Sequence, residues 1–355
     1  MRIAITGASG NIGSATLRRL GIEGGHQLVG IARRVPETRP DGADVEWVSA
    51  DLTRDACIGT LERAFKGADA VVHLAWGFQP SHDLRYLEEL GVGGTRRVLE
   101  AVSTSGVPHL VHMSSVGAYS PKHDDTPVDE NWPTGGVTTS RYSVHKAAAE
   151  RLLDVHERAG EGTLISRIRP GIVGQRSAGS ALLRYGLPAV IPAAVLDHIW
   201  ILPMDRRLAV PLVHADDVAD AIARELERKV GGAFNLAADP PITTEAIAAA
   251  LGARPVHVPS SVVRVVASAT WHARLQQVDT GWLDLGFAVP LLDSSRALRE
   301  LGWLPSLDGV TVLHEVLAGM RHAAADATPA LRPRSVARAL HDFVTRGPVG
   351  QRDRP

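Results

Sequence analysis

Tyr142 and Lys146 stand four residues apart in Tyr142-Ser143-Val144-His145-Lys146, a spacing that sets both side chains on one face of a helix. A phenol, with an ordinary pKa near ~10, is a poor proton donor or acceptor at neutral pH. A neighbouring ammonium favours the phenolate and is expected to lower that value. Taken alone, the pair is only a helix face. Ser114 and Ser115, in Met113-Ser114-Ser115-Val116-Gly117-Ala118-Tyr119, give it chemical meaning. They end an apolar strand, and ligands bind outside the carboxyl ends of strands in open α/β sheets. A hydroxyl there can hydrogen-bond a substrate oxygen and turn it toward Tyr142.

A second constellation lies at the start of the chain. Thr6-Gly7-Ala8-Ser9-Gly10-Asn11-Ile12-Gly13 follows the first strand and opens the first helix. Gly7 allows the tight turn, Gly10 lets backbone approach a pyrophosphate, and Gly13 lets the helix pack close to the sheet. Ser9, Asn11 and Ile12 complete the candidate cradle, with the helix N-terminus presenting N–H groups to the phosphates. This is the fingerprint of a dinucleotide site, and Lys146 could hold the nicotinamide ribose. The second strand ends Gly30-Ile31-Ala32-Arg33-Arg34. It lacks the acid that bonds the ribose 2′-hydroxyl of NAD, and guanidinium groups suit a 2′-phosphate. NADP is therefore expected over NAD, with Arg33 and Arg34 as its readers. Asp51 and Leu52, after the third strand, are placed to touch the adenine.

The elements that must hold these residues alternate regularly. Strands are expected at 2–6, 26–32, 45–50, 70–75, 109–114 and 163–169, and helices at 11–20, 53–65, 83–104 and 143–158. Near-continuous apolar strands such as Ala70-Val71-Val72-His73-Leu74 are covered on both faces. The pattern predicts βαβ crossovers and a Rossmann-like, doubly wound parallel sheet. Residues 1–174 are expected to form this nucleotide-binding domain, with 207–238 returning to it. Residues 175–320 mainly build a smaller C-terminal substrate-binding lobe, and 328–355 a basic, loose tail.

Composition narrows the partners. Of 355 residues, 45% are hydrophobic and 22% charged, ample for a real core. The net charge of −1 gives no electrostatic reason to expect nucleic acid. Cys57 is the single cysteine, so no intrachain disulfide forms and a reducing compartment fits. The 15 histidines show no zinc spacing, so no metal is expected. The start of the chain has no export signal, and the apolar stretch 187–203 is broken by Pro188, Pro192, Asp197 and His198. A cytoplasmic protein without membrane contact, acting on a small molecule, is the expectation.

In combination these motifs resemble the extended short-chain dehydrogenase/reductases of the NAD-dependent epimerase/dehydratase family, over roughly residues 1–320. The resemblance extends to His73-Leu74-Ala75 and Arg169-Pro170-Gly171-Ile172-Val173-Gly174. It also takes in Val213-His214-Ala215-Asp216-Asp217-Val218-Ala219, Phe234-Asn235-Leu236 and Leu301-Gly302-Trp303-Leu304-Pro305. It implies that Ser115, rather than Ser114, is the catalytic serine, with Tyr142 the acid/base and Lys146 its activator. It implies further dinucleotide contacts at Leu74, Ala75, Pro170, Gly171 and Ile172, a structural part for His214, and a homodimer through the helices at 83–104 and 142–158.

The chain also departs from the pattern. Gly91 stands before Val92-Gly93-Gly94-Thr95 where the family often has Asn; this is expected to alter helix support rather than chemistry. Ser115-Val116-Gly117 replaces the Thr-Asp-Glu that dehydratases resemble, so water elimination is not expected. Arg184, Arg206 and Arg207 are the candidates for a diphosphate clamp. Trp76, Phe78, Val116 and Gly117 are candidate substrate contacts, and Trp200, Trp271 and Trp282 hint at an apolar wall. The leading expectation is an NAD(P)-dependent oxidoreductase moving a hydride at a carbonyl or carbinol. A nucleotide-sugar 4-epimerase with retained NAD is the first rival, disfavoured by the missing acid and clamp. A non-catalytic NADP-sensing or scaffold protein is the second, disfavoured by the intact Ser115, Tyr142 and Lys146.

Overall fold

The computed structural model describes residues 1–37, 44–77, 83–160, 162–186, 193–273, 276, 278–333 and 335. Phe78 and most of the basic tail, including its expected helix at 336–344, lie outside the described residues.

Seven strands form the central sheet: β1 (Arg2–Thr6), β2 (Gln27–Ala32), β3 (Val45–Ser49), β4 (Ala70–His73), β5 (His109–Met113), β6 (Leu164–Pro170) and, from later in the chain, β10 (Gly232–Leu236). Their spatial order is β10-β6-β5-β4-β1-β2-β3, and every pairing is parallel. The order reverses between β1 and β4, which opens a crevice at the carboxyl ends of the strands. The expected doubly wound sheet is therefore present.

Alternating side chains split along each strand between the two faces. Ile3 and Ile5 face one side, where Leu17 and Leu20 of α1 (Asn11–Glu23) and Val218 and Ile222 of α7 (Ala215–Arg228) cover them. Ala4 and Val71 face the other, under Leu61 and Phe65 of α2 (Ile58–Phe65) and Val98 and Val102 of α4 (Gly94–Ser105). Leu153, from α5 (Arg141–Ala159), completes that layer. Full burial of each such aliphatic side chain stabilises the fold by about 1.5–3 kcal/mol, and cover on both faces accounts for the apolar strand sequences. Later parts of the chain, α7 and β10, join this domain.

One expected element differs. The helix at 83–104 is broken into α3 (Leu84–Glu88), a wide π turn over Glu89–Gly93, and α4. Gly91, Gly93 and Gly94 crowd this stretch with the weakest ordinary helix former, and such bulges often sit beside functional sites.

Small sheets build the lobe. Strand β9 (Ala209–His214) lies between β7 (Ile172–Gly174) and β11 (Ala238–Thr243), while β8 (Ile201–Met204) pairs with β12 (Arg254–His257). Helices α6 (Gly179–Gly186), α8 (Thr244–Leu251), α9 (Ser260–His272), α10 (Thr280–Ala288) and α11 (Gly309–Arg321) pack around them. Tyr119, Val210, Leu285 and Val312 share a core that ties the lobe to the domain. The stretch after α11 returns to α6: Leu331 is buried against Ala178 and Ala181, and Arg184 donates to the carbonyls of Ala330 (2.7 Å) and Arg332. His214 caps α7 by accepting from the Asp216 amide at 3.2 Å and meets Glu315 at 3.1 Å. No helix among the described residues is long and apolar enough to cross a membrane, and none of their side chains cluster as a metal site.

Candidate active site

A cavity of about 380 Å³ opens in the crevice, running from the glycine turn past the ends of β5 and β6 to α10. Gly7, Gly10, Asn11, Ile12, Gly13, Leu74, Trp76, Ser115, Val116, Gly117, Tyr142, Lys146, Pro170, Gly171 and Ile172 all line it. Ser9, Arg33, Arg34, Asp51, Leu52 and Ala75 do not.

The glycine turn fits a dinucleotide pyrophosphate. Gly7 has φ +72°, a left-handed conformation, and a Cβ there would lie 2.6 Å from the Ala75 amide nitrogen, so Ala75 acts by crowding the turn. A Cβ at Gly13 would collide with the Gly7 carbonyl. Gly10, whose N–H bonds the Gly7 carbonyl at 2.9 Å, begins α1 with no side-chain cap and no acid in the first turn. The helix therefore offers its N–H groups and positive end to an anion. Asn11 is fixed from below, with its side-chain oxygen accepting from Gln175 Nε2 at 2.7 Å.

At the far end of β2, Arg33 donates to the Tyr86 hydroxyl at 2.9 Å. Asp51 is taken up locally, accepting from the Thr53 amide (3.1 Å) and hydroxyl (2.7 Å). Leu52 is buried, and its carbonyl accepts from Arg97 at 2.9 Å.

The two serines after β5 have different partners. Ser114 turns inward and donates to Glu150 at 2.5 Å. Ser115 stays at the cavity, accepting from the Gly117 amide at 3.0 Å and hydrogen-bonding Tyr142. Gly117 is required here, because a Cβ would stand 2.8 Å from the Tyr142 ring. Ser140 caps α5 and places Tyr142 in its first turn, one turn before Lys146.

Lys146 is 2% exposed, donates to the Met113 carbonyl at 2.8 Å, and has its Nζ 3.6 Å from the centroid of the Trp76 indole. Burial pulls its pKa down to about 7, against the attraction of Glu150. The expected lowering of the Tyr142 pKa is not found: burial pushes it up to about 12, and only the Ser115 hydrogen bond opposes this. Lys146 Nζ lies 6.0 Å from the Tyr142 ring centroid, so in this arrangement desolvation outweighs the ammonium.

Glu150, and the supporting parts played by Arg169, Tyr119, Asn235 and His73, escaped the sequence reading. Glu150 lies one turn beyond Lys146 and receives two hydrogen bonds from Arg169, at 2.8 and 2.9 Å. Arg169 passes on to Tyr119 (3.1 Å), whose hydroxyl donates to Asn235 at 2.6 Å. The 142, 146, 150 spacing was the available signal for Glu150. His73 bridges Thr6 (2.6 Å) and Thr95 (3.2 Å) and is held neutral, its pKa pulled down to about 3 by burial and by Lys146.

One expectation is extended and another is corrected. Gly91 reaches beyond helix support, since a Cβ there would stand 3.0 Å from the Trp76 indole that covers Lys146. Of the three lobe tryptophans only Trp282 lines the cavity, 5.1 Å from the Tyr142 ring; Trp200 is 75% exposed.

Comparison with known proteins agrees with this architecture. The sequence profile described as the NAD dependent epimerase/dehydratase family matches residues 3–237. The Mycobacterium tuberculosis protein Rv2047c is 29% identical over 323 residues, covering 90% of this chain but only 30% of its own length. This chain thus spans about a third of that relative. The L-arabinose 1-dehydrogenase (NAD(P)(+)) of Haloferax volcanii is 35% identical over 114 residues, 32% of this chain and 41% of the enzyme. The crystal structure of the Thermus thermophilus UDP-glucose 4-epimerase in complex with NAD superposes with a TM-score of 0.66 at 24% identity, covering 91% of this chain and 100% of that one. With the profile spanning most of the chain, and with the glycine turn and parallel sheet it requires both in place, the protein belongs to the NAD dependent epimerase/dehydratase family of enzymes.

Proposed function

We propose that this enzyme is an NADP-preferring oxidoreductase acting at a carbonyl or carbinol carbon of a small molecule, with Ser115, Tyr142 and Lys146 as its catalytic groups. The observation that carries the reading is the convergence of Ser115, Tyr142 and Lys146 on the wall of the cavity that begins at the glycine turn. The bound nicotinamide dinucleotide supplies or takes up the hydride. The chain's own residues do the rest. Ser115 hydrogen-bonds the substrate oxygen and holds it against Tyr142. Tyr142, kept protonated by burial, gives its proton to that oxygen in reduction and recovers it in oxidation. Lys146 steadies the phenol's charge and the ribose hydroxyls, while Trp76 and Trp282 keep water from the reacting oxygen. Gly7, Ser9, Gly10, Asn11, Ile12 and Gly13 cradle the pyrophosphate; Asp51 and Leu52 flank the adenine; Leu74, Ala75, Pro170, Gly171 and Ile172 border the dinucleotide.

The preference for NADP rests on Arg33, whose observed partner is the uncharged Tyr86 hydroxyl, so its guanidinium charge can meet a 2′-phosphate. A nucleotide-sugar 4-epimerase with retained NAD is the second reading, favoured by the likeness to the Thermus enzyme. Denaturing freshly purified protein and identifying any released nucleotide separates the two. An empty site that then prefers NADPH supports the oxidoreductase, and stoichiometric NAD supports the epimerase. The reading includes a homodimer through the helices at 83–104 and 142–158, where Val155 is 57% exposed. A monodisperse monomer in light scattering would overturn that part.

A further inference from the structure

We infer that the substrate is an uncharged, largely apolar cyclic alcohol or ketone, set against Trp282, Leu285 and Val289 with its oxygen at Ser115 and Tyr142. This rests on the hydride-transfer reading of the same site. Beyond Tyr142 the cavity wall is hydrocarbon: Trp282 stacks 5.1 Å from the Tyr142 ring at 33°, and Trp76 stands edge-on to it at 6.4 Å. Leu285, Val289, Val210 and Leu182 close the remainder. Aromatic walls of this kind reward burial of a flat apolar body.

Charge argues the same way. Among the described lining residues Lys146 is the single cation, and it is already held by the Met113 carbonyl and the Trp76 face. A diphosphate taken into such a wall would lose its hydration without a bidentate guanidinium to replace it, an expensive transfer. The candidate clamp arginines are committed elsewhere. Arg184 holds the carbonyls of Ala330 and Arg332. Arg207 is engaged by Asp205 at 2.8 Å and by Ser260 at 3.1 Å. Arg206 is exposed and does not line the cavity.

The test is calorimetric titration of the dinucleotide-loaded protein with 2-tetralol, UDP and UDP-glucose. The expected result is saturable binding of 2-tetralol with little or no heat from either uridine compound. Trp282→Ala should weaken 2-tetralol by about ten- to hundredfold, with dinucleotide affinity unchanged, and Trp282→Phe should restore most of the loss. UDP or UDP-glucose binding more tightly than 2-tetralol, or 2-tetralol failing to bind, would overturn the inference. Adding 2-tetralone with NADPH separates this from the reaction itself. Ketone that binds while NADPH is not consumed leaves the substrate class standing and removes the hydride-transfer reading. Oxidation of UDP-glucose by bound NADP does the reverse.

Discussion

The Lys146 ammonium lies 3.6 Å from the centre of the Trp76 indole, and the indole has room to lie there because residue 91 has no side chain. A departure from the family pattern on one helix thus reaches the candidate catalytic lysine through a tryptophan. A desolvated cation gains about 0.5–2 kcal/mol from such an aromatic face. The indole therefore works against the burial that draws Lys146 down to about 7.

Removing that face should lower the Lys146 pKa further. For Trp76→Leu the titration midpoint is expected to fall by about half to one and a half pH units, read by NMR of labelled lysine side chains and assigned with Lys146→Met. Gly91→Asn, whose Cβ meets the indole, should shift it in the same direction. An unchanged midpoint in both variants would mean that the contact has no electrostatic consequence.

Tyr142→Phe keeps the ring that packs against Gly117 and Trp282 and removes only the hydroxyl. Turnover should fall by about 10²–10⁴-fold while dinucleotide affinity stays within twofold or so. Retained turnover would take Tyr142 out of the chemistry.

Replacing Arg33 and Arg34 together with Ala should weaken NADPH much more than NADH, by about tenfold or more, as expected for a charge-assisted phosphate contact. Equal losses for the two nucleotides would refute the 2′-phosphate assignment. Tyr86→Phe, which deletes only the hydroxyl partner of Arg33, should change NADPH affinity far less than the double substitution.

The fold was readable because the central strands β1, β2 and β4 are near-continuous apolar runs buried on both faces and alternate with helical stretches, so pattern alone points to a covered parallel sheet. The glycine turn and the Tyr142–Lys146 spacing are local in sequence, and both line the cavity of the candidate site. What escaped depends on contacts across the chain. Trp76 meets Lys146 beside Gly91, where a Cβ would press on the indole, and Arg169 meets Glu150 across 19 residues of sequence. The sign of the Tyr142 shift also escaped, because it depends on how completely the lobe buries the phenol, which spacing does not report.

Lys146 gives stability a distinct pH dependence. Its folded pKa, about 7, lies below the ordinary lysine value, so between the two the unfolded chain binds more protons and stability rises with pH. The penalty for charging it is fully present below about pH 7 and disappears as pH climbs through the ordinary lysine range. Lys146→Met should flatten this slope in urea unfolding measured between pH 7 and 10, and should stabilise the protein most at the lower end. An unchanged slope would show that Lys146 is solvated.

Glu150 should produce a dependence of the same sign on the acid side, because its folded pKa is also depressed. Burial raises its pKa, but the hydrogen bonds and charge of Arg169, the Ser114 hydroxyl and the Arg167 charge outweigh that and hold it below the usual carboxylate value. The stability it contributes is therefore complete above the ordinary glutamate range and is lost as pH falls through the depressed pKa. Glu150→Gln leaves Arg169 and Arg167, both largely buried, without their shared carboxylate. Breaking one side of a buried pair costs about 3–5 kcal/mol. Arg167 keeps Asp154 at 2.9 Å and Glu157 at 2.6 Å, whereas Arg169 keeps only neutral oxygens on Tyr119 and Glu130. The loss should therefore fall mainly on Arg169, behind Ser114 and β5. Urea unfolding at pH 7 should show most of the penalty, and at pH 4 the gap to the parent should narrow. A gap that stays constant with pH would mean that the carboxylate contributes by shape alone and that its charge is immaterial.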